Sequence, residues 1–397
     1  MRAQATWLAV LASASLIAAC GETSTTPTSS ADRSATSAAE TAASATKFWD
    51  GNASANWTDL ATALVARRGA DVSRLYAYLS LAQLRAAEAA EAIRPHPPTS
   101  SAIGAASATV LAAFFAADVA EIEATLDAQA AADPWPGVKH QDFVRGEAIG
   151  RAVGAKVLAF AQGDRVGQAD PGTPPIGPGY WTWTGGPIIR GNYGARPFFL
   201  ASDDEFRPAP PPAFGSPEYN SALAEVRAFS DGRTAEQLAI AQFWNAAQSG
   251  RSNSAMINKA VELIRKYRVT DAKAARILFV MDAAMFDALV GCFDAKYAYW
   301  FVRPPQADPL ITLPIGLPPH PSYPSAHSCI SGSGTGVLGA MFPAEADALT
   351  AMAEEAGMSR VYGGIHYRFD SQVGLALGRA VAAKAIAADL NAVAVLP

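Results

Sequence analysis

The chain has 397 residues, of which 50% are hydrophobic and only 17% are charged; this is typical of a compact globular protein and excludes a mostly disordered one. Its 31 Lys and Arg against 36 Asp and Glu give a formal net charge of −5, and no basic block is present to follow a phosphate backbone, which argues against a nucleic-acid partner. Three cysteines are too few for a disulfide scaffold and match no zinc or iron–sulfur spacing.

The amino terminus has the features of an export signal. A short positive start is followed by an apolar stretch over 7–19, and small residues end at Cys20. Residues 1–20 resemble a bacterial lipoprotein signal, in which Cys20 would be lipidated; the alternative is an ordinary signal peptide with a coincidental cysteine. Residues 21–46 are rich in Ser, Thr and Ala and are expected to form a disordered tether. We therefore expect an exported lipoprotein facing the periplasm or cell surface, held at the membrane by its lipid alone.

The rest of the chain is dominated by helical periodicity. Apolar residues recur at helical spacing first at about 57–67, 71–93, 101–132 and 139–163. Residues 163–212 break into Gly, Pro and aromatics, and so long an irregular connection is more often functional than idle. Helical spacing returns at 217–229, 233–248, 254–266, 271–302, 325–342, 345–357 and 371–390. The pattern predicts an all-α architecture of helical bundles, with an N-terminal half over 47–215 and a C-terminal bundle over 216–397.

Chemistry-bearing residues concentrate in the C-terminal bundle. Lys296 and Arg303 are seven positions apart before a double proline, so a continuing helix would place both cations on one face. Next, Pro324 breaks the chain and Ser325 is placed to cap the following helix, whose start offers free backbone N–H groups to an anion. Ser325 would add a hydroxyl, Ala326 an amide, and His327 a titratable ring.

A third group completes this set. Arg360 precedes His366, and Asp370 follows His366 by four positions, a spacing that on a helix lets the carboxylate hold one ring nitrogen and leaves the other free. Cations, a helix-end amide, a hydroxyl and two histidines of different kinds predict a tetrahedral oxyanion site.

Written as Lys-x6-Arg-Pro, Pro-Ser-Ala-His and Ser-Arg-x5-His-x3-Asp, this pattern resembles the superfamily that joins vanadium-dependent haloperoxidases, type 2 phosphatidic acid phosphatases and bacterial acid phosphatases. The resemblance implies that family's helical fold and a vanadate cofactor. It implies that His366 is the axial vanadate ligand, oriented by Asp370, and that His327 is the acid–base. It assigns binding of the equatorial oxygens to Lys296, Arg303, Ser325, Ala326 and Arg360. Ala326 stands where the family usually has glycine. The alanine keeps the backbone N–H, but its methyl group is expected to narrow the approach to the anion.

Three functions remain open from the sequence. The sequence from Phe293 to Pro304 and the residues around His320 resemble haloperoxidase-like bacterial proteins, which implies peroxide-dependent oxidation of a halide. In that function His320 would tune the halide or peroxide chemistry; the alternative is that it is an ordinary loop histidine. The alternatives are a soluble periplasmic acid phosphatase that cleaves phosphomonoesters through a phosphohistidine, with no cofactor, and a non-catalytic oxyanion-binding lipoprotein. The first two act on small molecules only.

Two cysteines lie beside these motifs. Cys292 comes one helical turn before Lys296, and Cys329 comes two residues after His327. If both motifs surround one anion, the thiols are neighbours, and export to an oxidising compartment permits a disulfide between them.

Overall fold

The computed structural model describes residues 52–131, 138–245 and 251–390. The predicted signal peptide with Cys20 and the predicted tether lie outside these residues. The described residues form thirteen α-helices and no strand, which confirms the all-α prediction. The helices are α1 (Ala53–Arg68), α2 (Val72–Glu91), α3 (Thr99–Phe114), α4 (Val119–Ala131), α5 (Val138–Ala161), α6 (Pro217–Gly232), α7 (Ala235–Asn245), α8 (Arg251–Lys266), α9 (Asp271–Tyr299), α10 (Pro304–Ala307), α11 (Ala326–Met341), α12 (Ala346–Tyr362) and α13 (Arg368–Leu390).

Two of the predicted helices end earlier than their apolar spacing indicates. The single helix expected over 101–132 is interrupted at Phe115 and a short 3-10 turn, where the buried Asp118 pairs with Arg68. The helix expected over 271–302 ends at Tyr299, because Trp300 adopts a left-handed conformation with φ of 49°. The chain therefore changes direction before Arg303.

Helix α9 lies at the centre of the fold and is buried along most of its length. It packs against α2, α11 and α13, whose apolar faces share one continuous core. Burial of this many aliphatic side chains is the main stabilising contribution, at about 25 cal/mol for each Å² of apolar surface removed from water. Lys296, on the last turns of α9, is thereby carried into the interior.

Helices α11 and α13 approach closely because glycines form their contact. A Cβ atom at Gly378 would lie 2.2 Å from the carbonyl oxygen of Cys329, and one at Gly332 would lie 2.6 Å from that of Leu375. Only residues without a side chain permit this approach. It sets the first turn of α11 beside the first turn of α13, where the Ser325 N–H donates to the Asp370 carbonyl oxygen over 3.0 Å.

The irregular segment 163–212 runs against α9 and the loop that follows it. The Asp287 carboxylate of α9 accepts hydrogen bonds from the backbone N–H groups of Phe198, Phe199 and Leu200. The backbone N–H of Trp181 donates to the Trp300 carbonyl oxygen over 2.7 Å. The segment thus braces the turn that redirects the chain toward Arg303. Within the described residues, no helix has the length and apolarity needed to cross a membrane.

Candidate functional site

Lys296 is fully buried, and its ammonium group is surrounded by backbone oxygens. Its Nζ donates to the carbonyl oxygens of Pro321 and Ser322, each at 2.9 Å, and of Pro324 at 2.5 Å. An ammonium has three donors, so these contacts use all of them. Burial lowers the pKa of Lys296 to about 8, while the nearby Asp370 charge opposes that shift. Lys296 therefore acts on the site through its charge.

Arg303 reaches the same loop from a different direction. It lies beyond the end of α9, in extended conformation, so the expectation that it shares a helix face with Lys296 is wrong. Its Nε donates to the His320 carbonyl over 2.8 Å, and its Nη1 donates to the Ile365 carbonyl over 2.6 Å. The carbonyls of the 320–325 loop, rather than helix periodicity, bring the two cations together.

His366 is held by a carboxylate, as its spacing from Asp370 predicts. Its Nδ1 lies 2.8 Å from Asp370 Oδ2. Because a carboxylate only accepts, Nδ1 carries the proton and Nε2 holds the lone pair, which accepts a long hydrogen bond of 3.5 Å from Arg303 Nη1. Burial, and then the charges of Arg303 and Lys296, hold the pKa of His366 well below its ordinary value, so the ring is neutral. The ring precedes α13 rather than lying on it, which corrects the expected helical arrangement.

The orienting carboxylate has a second partner that the motifs do not contain. Ser322 Oγ donates to Asp370 Oδ2 over 2.6 Å, and the Tyr367 N–H donates to the same oxygen over 3.2 Å. No described residue donates to Asp370 Oδ1. Burial raises the pKa of Asp370 to about 6, against the opposing effects of Ser322 and Lys296. Ser322 belongs to the phrase around His320, but no spacing rule distinguishes it.

Ser325 marks the start of α11, but its hydroxyl does not cap the helix. Its backbone has the extended conformation of an N-cap, with φ of −73° and ψ of 121°, and no side-chain cap bond forms. The Oγ atom is buried and has no hydrogen-bond partner among the described residues. A buried polar atom without a partner is costly, at about 1–3 kcal/mol, so it indicates a position where a ligand would supply the partner. The first N–H groups of α11, beginning with Ala326, have the same need.

His327 and Arg360 meet at the carboxyl end of α7. His327 Nε2 lies 3.0 Å from the Trp244 carbonyl oxygen, so Nε2 carries the proton and Nδ1 holds the lone pair. Arg360 Nη2 donates to the Ala241 carbonyl over 2.8 Å, and Nη1 lies 3.5 Å from Asn245 Oδ1. Burial and the charge of Arg360 lower the pKa of His327 to about 3. Nothing in the sequence of α7 distinguishes these carbonyls.

His320 lies against Arg303. Its Nδ1 is 3.0 Å from Arg303 Nη2, and its ring stacks edge-on against Phe293 with centroids 5.4 Å apart. Burial, with the charges of Lys296 and Arg303, holds the pKa of His320 well below its ordinary value. A neutral ring that accepts from Arg303 at Nδ1 orients the guanidinium.

The predicted residues thus surround one strongly positive site. The cations of Lys296, Arg303 and Arg360 each lower the pKa of one or more neighbouring histidines. The carboxylate of Asp370 contacts His366 directly. An anion compensates buried positive charge better than water does. The arrangement offers a nitrogen lone pair on a neutral ring, three cations, helix-start amides and a hydroxyl without a partner among the described residues. This is the donor set for a tetrahedral oxyanion.

Comparison with known proteins finds similar chains. Residues 342–393 match the family model of the VCPO second helical-bundle domain. A bacterial vanadium-dependent iodoperoxidase structure is similar, with 24% identity and a TM-score of 0.70 over 83% of this chain and 94% of that one. A bacterial vanadium-dependent chloroperoxidase is similar in its apo form (11% identity, TM-score 0.60, 79% and 92% covered) and in its holo form (14%, 0.59, 83% and 91%). No curated protein matches the chain. These findings confirm that the chain has the helical fold of the bacterial vanadium haloperoxidases, and the match over residues 342–393 agrees with the resemblance.

Proposed function

We propose that this chain is a vanadate-dependent haloperoxidase, which oxidises a halide with hydrogen peroxide. The observation that carries the proposal is the pairing of His366 with Asp370 over 2.8 Å, which leaves the Nε2 lone pair beside Arg303 in a buried site of several cations. A residue that coordinates vanadate must supply a nitrogen lone pair, whereas a protein that only binds an oxyanion does not need one.

The residues present fit vanadate. His366 Nε2 would be its protein ligand, Arg303 and Arg360 would neutralise its oxygens, and Ser325 Oγ and the Ala326 amide would donate to it. The Ser325 hydroxyl, which has no hydrogen-bond partner among the described residues, supports this fit. When bound, vanadate acts as a Lewis acid that activates peroxide toward the halide.

The protein's own side chains have distinct tasks in this proposal. Asp370 keeps the proton on Nδ1 of His366, so that Nε2 stays available. The Trp244 carbonyl fixes the opposite tautomer in His327, so that Nδ1 would be the atom that accepts and returns a proton. Lys296 supplies positive charge, but all of its donors are already used. Its three hydrogen bonds to backbone carbonyls hold the 320–325 loop in place.

The test compares two activities of one protein. Purified full-length chain, freed of vanadate and phosphate, is assayed with and without orthovanadate for peroxide-dependent oxidation of iodide, bromide and chloride, and in parallel for hydrolysis of a phosphomonoester. We expect halide oxidation only with vanadate, suppressed by phosphate and abolished in His366→Ala. The matched control is His96→Ala, an exposed histidine outside the site, which should retain full activity.

Two other outcomes would overturn the proposal. Hydrolysis without vanadate, inhibited by vanadate, would show that the same residues run a phosphatase through a phosphohistidine. Tight phosphate binding with neither activity would leave a non-catalytic oxyanion binder.

We propose further that the chain is an exported lipoprotein anchored through Cys20. The support is the apolar stretch ending in small residues at that cysteine. Wild-type chain should fractionate with membranes and Cys20→Ser should not; equal fractionation would remove the anchor.

A further inference from the structure

Two thiols meet directly behind the oxyanion site. Cys292 Sγ and Cys329 Sγ lie 2.6 Å apart, and neither side chain is exposed. Cys292 belongs to α9 and Cys329 to α11, so the contact joins two helices through residues that are 37 positions apart in the sequence. Both cysteines are free thiols in the structure.

The pair is connected to the groups that form the site. Cys292 lies one turn before Lys296, and its Sγ is 3.8 Å from the Pro324 carbonyl, the same oxygen that accepts from Lys296 Nζ. The Cys329 N–H donates to the Ser325 carbonyl over 3.0 Å, in the first turn of α11. A bond between the sulfurs would therefore tie the helix that carries Lys296 to the helix start that presents Ser325 and Ala326.

We propose that Cys292 and Cys329 are a redox pair that hydrogen peroxide converts to a disulfide linking α9 to α11. A disulfide needs its sulfur atoms about 2.05 Å apart, so the observed contact requires a shift of only about half an ångström. The opposed side chains are held there by buried helices rather than by flexible loops, so the two sulfurs remain each other's nearest reaction partners.

The reaction balances with one peroxide for the pair. One thiol loses its proton, its sulfur attacks a peroxide oxygen, the O–O bond breaks, and a sulfenic acid and one water form. The second sulfur then attacks the sulfenic sulfur, the S–O bond breaks, and the second water leaves with the remaining proton. The thiols together lose two electrons and two protons, and peroxide takes up both. Both thiols are buried, so peroxide would have to reach them from the adjacent oxyanion site, where Ala326 and His327 are partly exposed.

The bond would stabilise the fold around the site. It closes a loop of 37 positions that includes Arg303, His320 and the whole 320–325 loop. Closing such a loop restricts the unfolded chain, and the oxidised protein should melt at least about 5 °C above the reduced one. This inference is independent of vanadate, since it requires only peroxide and the two sulfurs.

The experiment follows the thiols by mass. Full-length chain carrying Cys20→Ser, so that only this pair remains, is reduced, freed of reductant and vanadate, and treated with one equivalent of hydrogen peroxide. It is then denatured in the presence of iodoacetamide. We expect a product two hydrogens lighter than the reduced chain, without alkyl groups, and a cross-linked peptide containing both cysteines. Two alkyl groups, or added oxygen on either sulfur in place of the cross-link, would overturn the proposal.

Melting curves give a second, separate readout. The oxidised chain should lose at least about 5 °C of melting temperature on addition of reductant, whereas the Cys292→Ala and Cys329→Ala double variant should show no change. A melting temperature that reductant leaves unchanged in both proteins would refute the stabilising role. Because no vanadate is added, these results do not depend on whether the proposed peroxidase activity exists.

Discussion

Replacing Asp370 with Asn tests whether the tautomer of His366 determines vanadate binding. The two residues are nearly the same in shape, but Asp370 Oδ2 accepts from His366 Nδ1 at 2.8 Å, from Ser322 Oγ at 2.6 Å and from the Tyr367 N–H at 3.2 Å. If the amide nitrogen takes that position, it faces three donors and forces the proton of His366 onto Nε2. If the amide oxygen takes it, the NH₂ group replaces Oδ1, which has no partner among the described residues.

Both orientations of the introduced amide are unfavourable. We expect the substitution to change the affinity for orthovanadate and the affinity for sulfate differently. A buried NH₂ group without a partner costs about 1–3 kcal/mol, and removal of a ligand-orienting carboxylate typically weakens metal affinity by about 10- to 100-fold. We therefore expect orthovanadate affinity to fall by at least about 10-fold in Asp370→Asn. Sulfate, which needs only the cations and the amides, should bind equally well or more tightly, because the variant removes a negative charge from beside Lys296 and Arg303.

Calorimetric titration with orthovanadate and with sulfate, at one pH and salt concentration, measures both affinities. The matched control is Asp231→Asn, an exposed carboxylate paired with Arg227 on α6, which should change neither. Equal vanadate affinity in Asp370→Asn and in the wild-type chain would refute the argument that His366 binds through a carboxylate-fixed Nε2. A parallel loss of sulfate binding would show instead that the substitution collapses the site.

Three further predictions follow from the site and from the helices that hold it. His327→Ala should lower turnover by at least about 100-fold while changing anion affinity only a few-fold, because the ring moves a proton and the cations hold the anion. Turnover and anion titration measured on one preparation check this prediction. Unchanged turnover would remove the acid–base role of His327. Asp282→Asn should stabilise the fold by about 1–3 kcal/mol at pH 7, since burial raises the pKa of Asp282 to about 8 and a buried NH₂ group in place of Oδ1, which has no partner among the described residues, offsets part of the gain. The Asp282 contribution is fully present below its unfolded pKa near 4 and is lost as pH rises toward 8, so in urea unfolding the variant's advantage should grow across that interval; a gain independent of pH would contradict the assignment. Gly378→Ala should destabilise the chain by about 1–3 kcal/mol and weaken anion binding, because its Cβ would meet the Cys329 carbonyl at 2.2 Å. Gly232→Ala, whose Cβ would meet nothing within 4 Å, is the control for the same urea measurement, and equal losses in the two variants would disprove the close-packing explanation.

The sequence predicts much of this protein because several of its features are local. Apolar spacing indicates helices directly, since a helix buries one face at a period of 3.6 residues. The proline before Ser325 ends one segment and allows a helix to start, and Asp370 follows His366 within the reach of a single turn. Residue types and spacing alone therefore predict that the three motifs surround one anion.

Tertiary structure decided how those residues are held. Trp300 turns the chain out of α9, so Lys296 and Arg303 meet through the carbonyls of the 320–325 loop and not along a helix. Carbonyls of α7 fix His327 and Arg360, and Cys292 meets Cys329 only because α9 packs against α11. The physical reason is that every residue carries the same backbone carbonyl, so no side-chain pattern marks which one will receive a cation. That pairing depends on which helices pack together, whereas the sequence by itself determined most of the helices and the chemical groups that they carry.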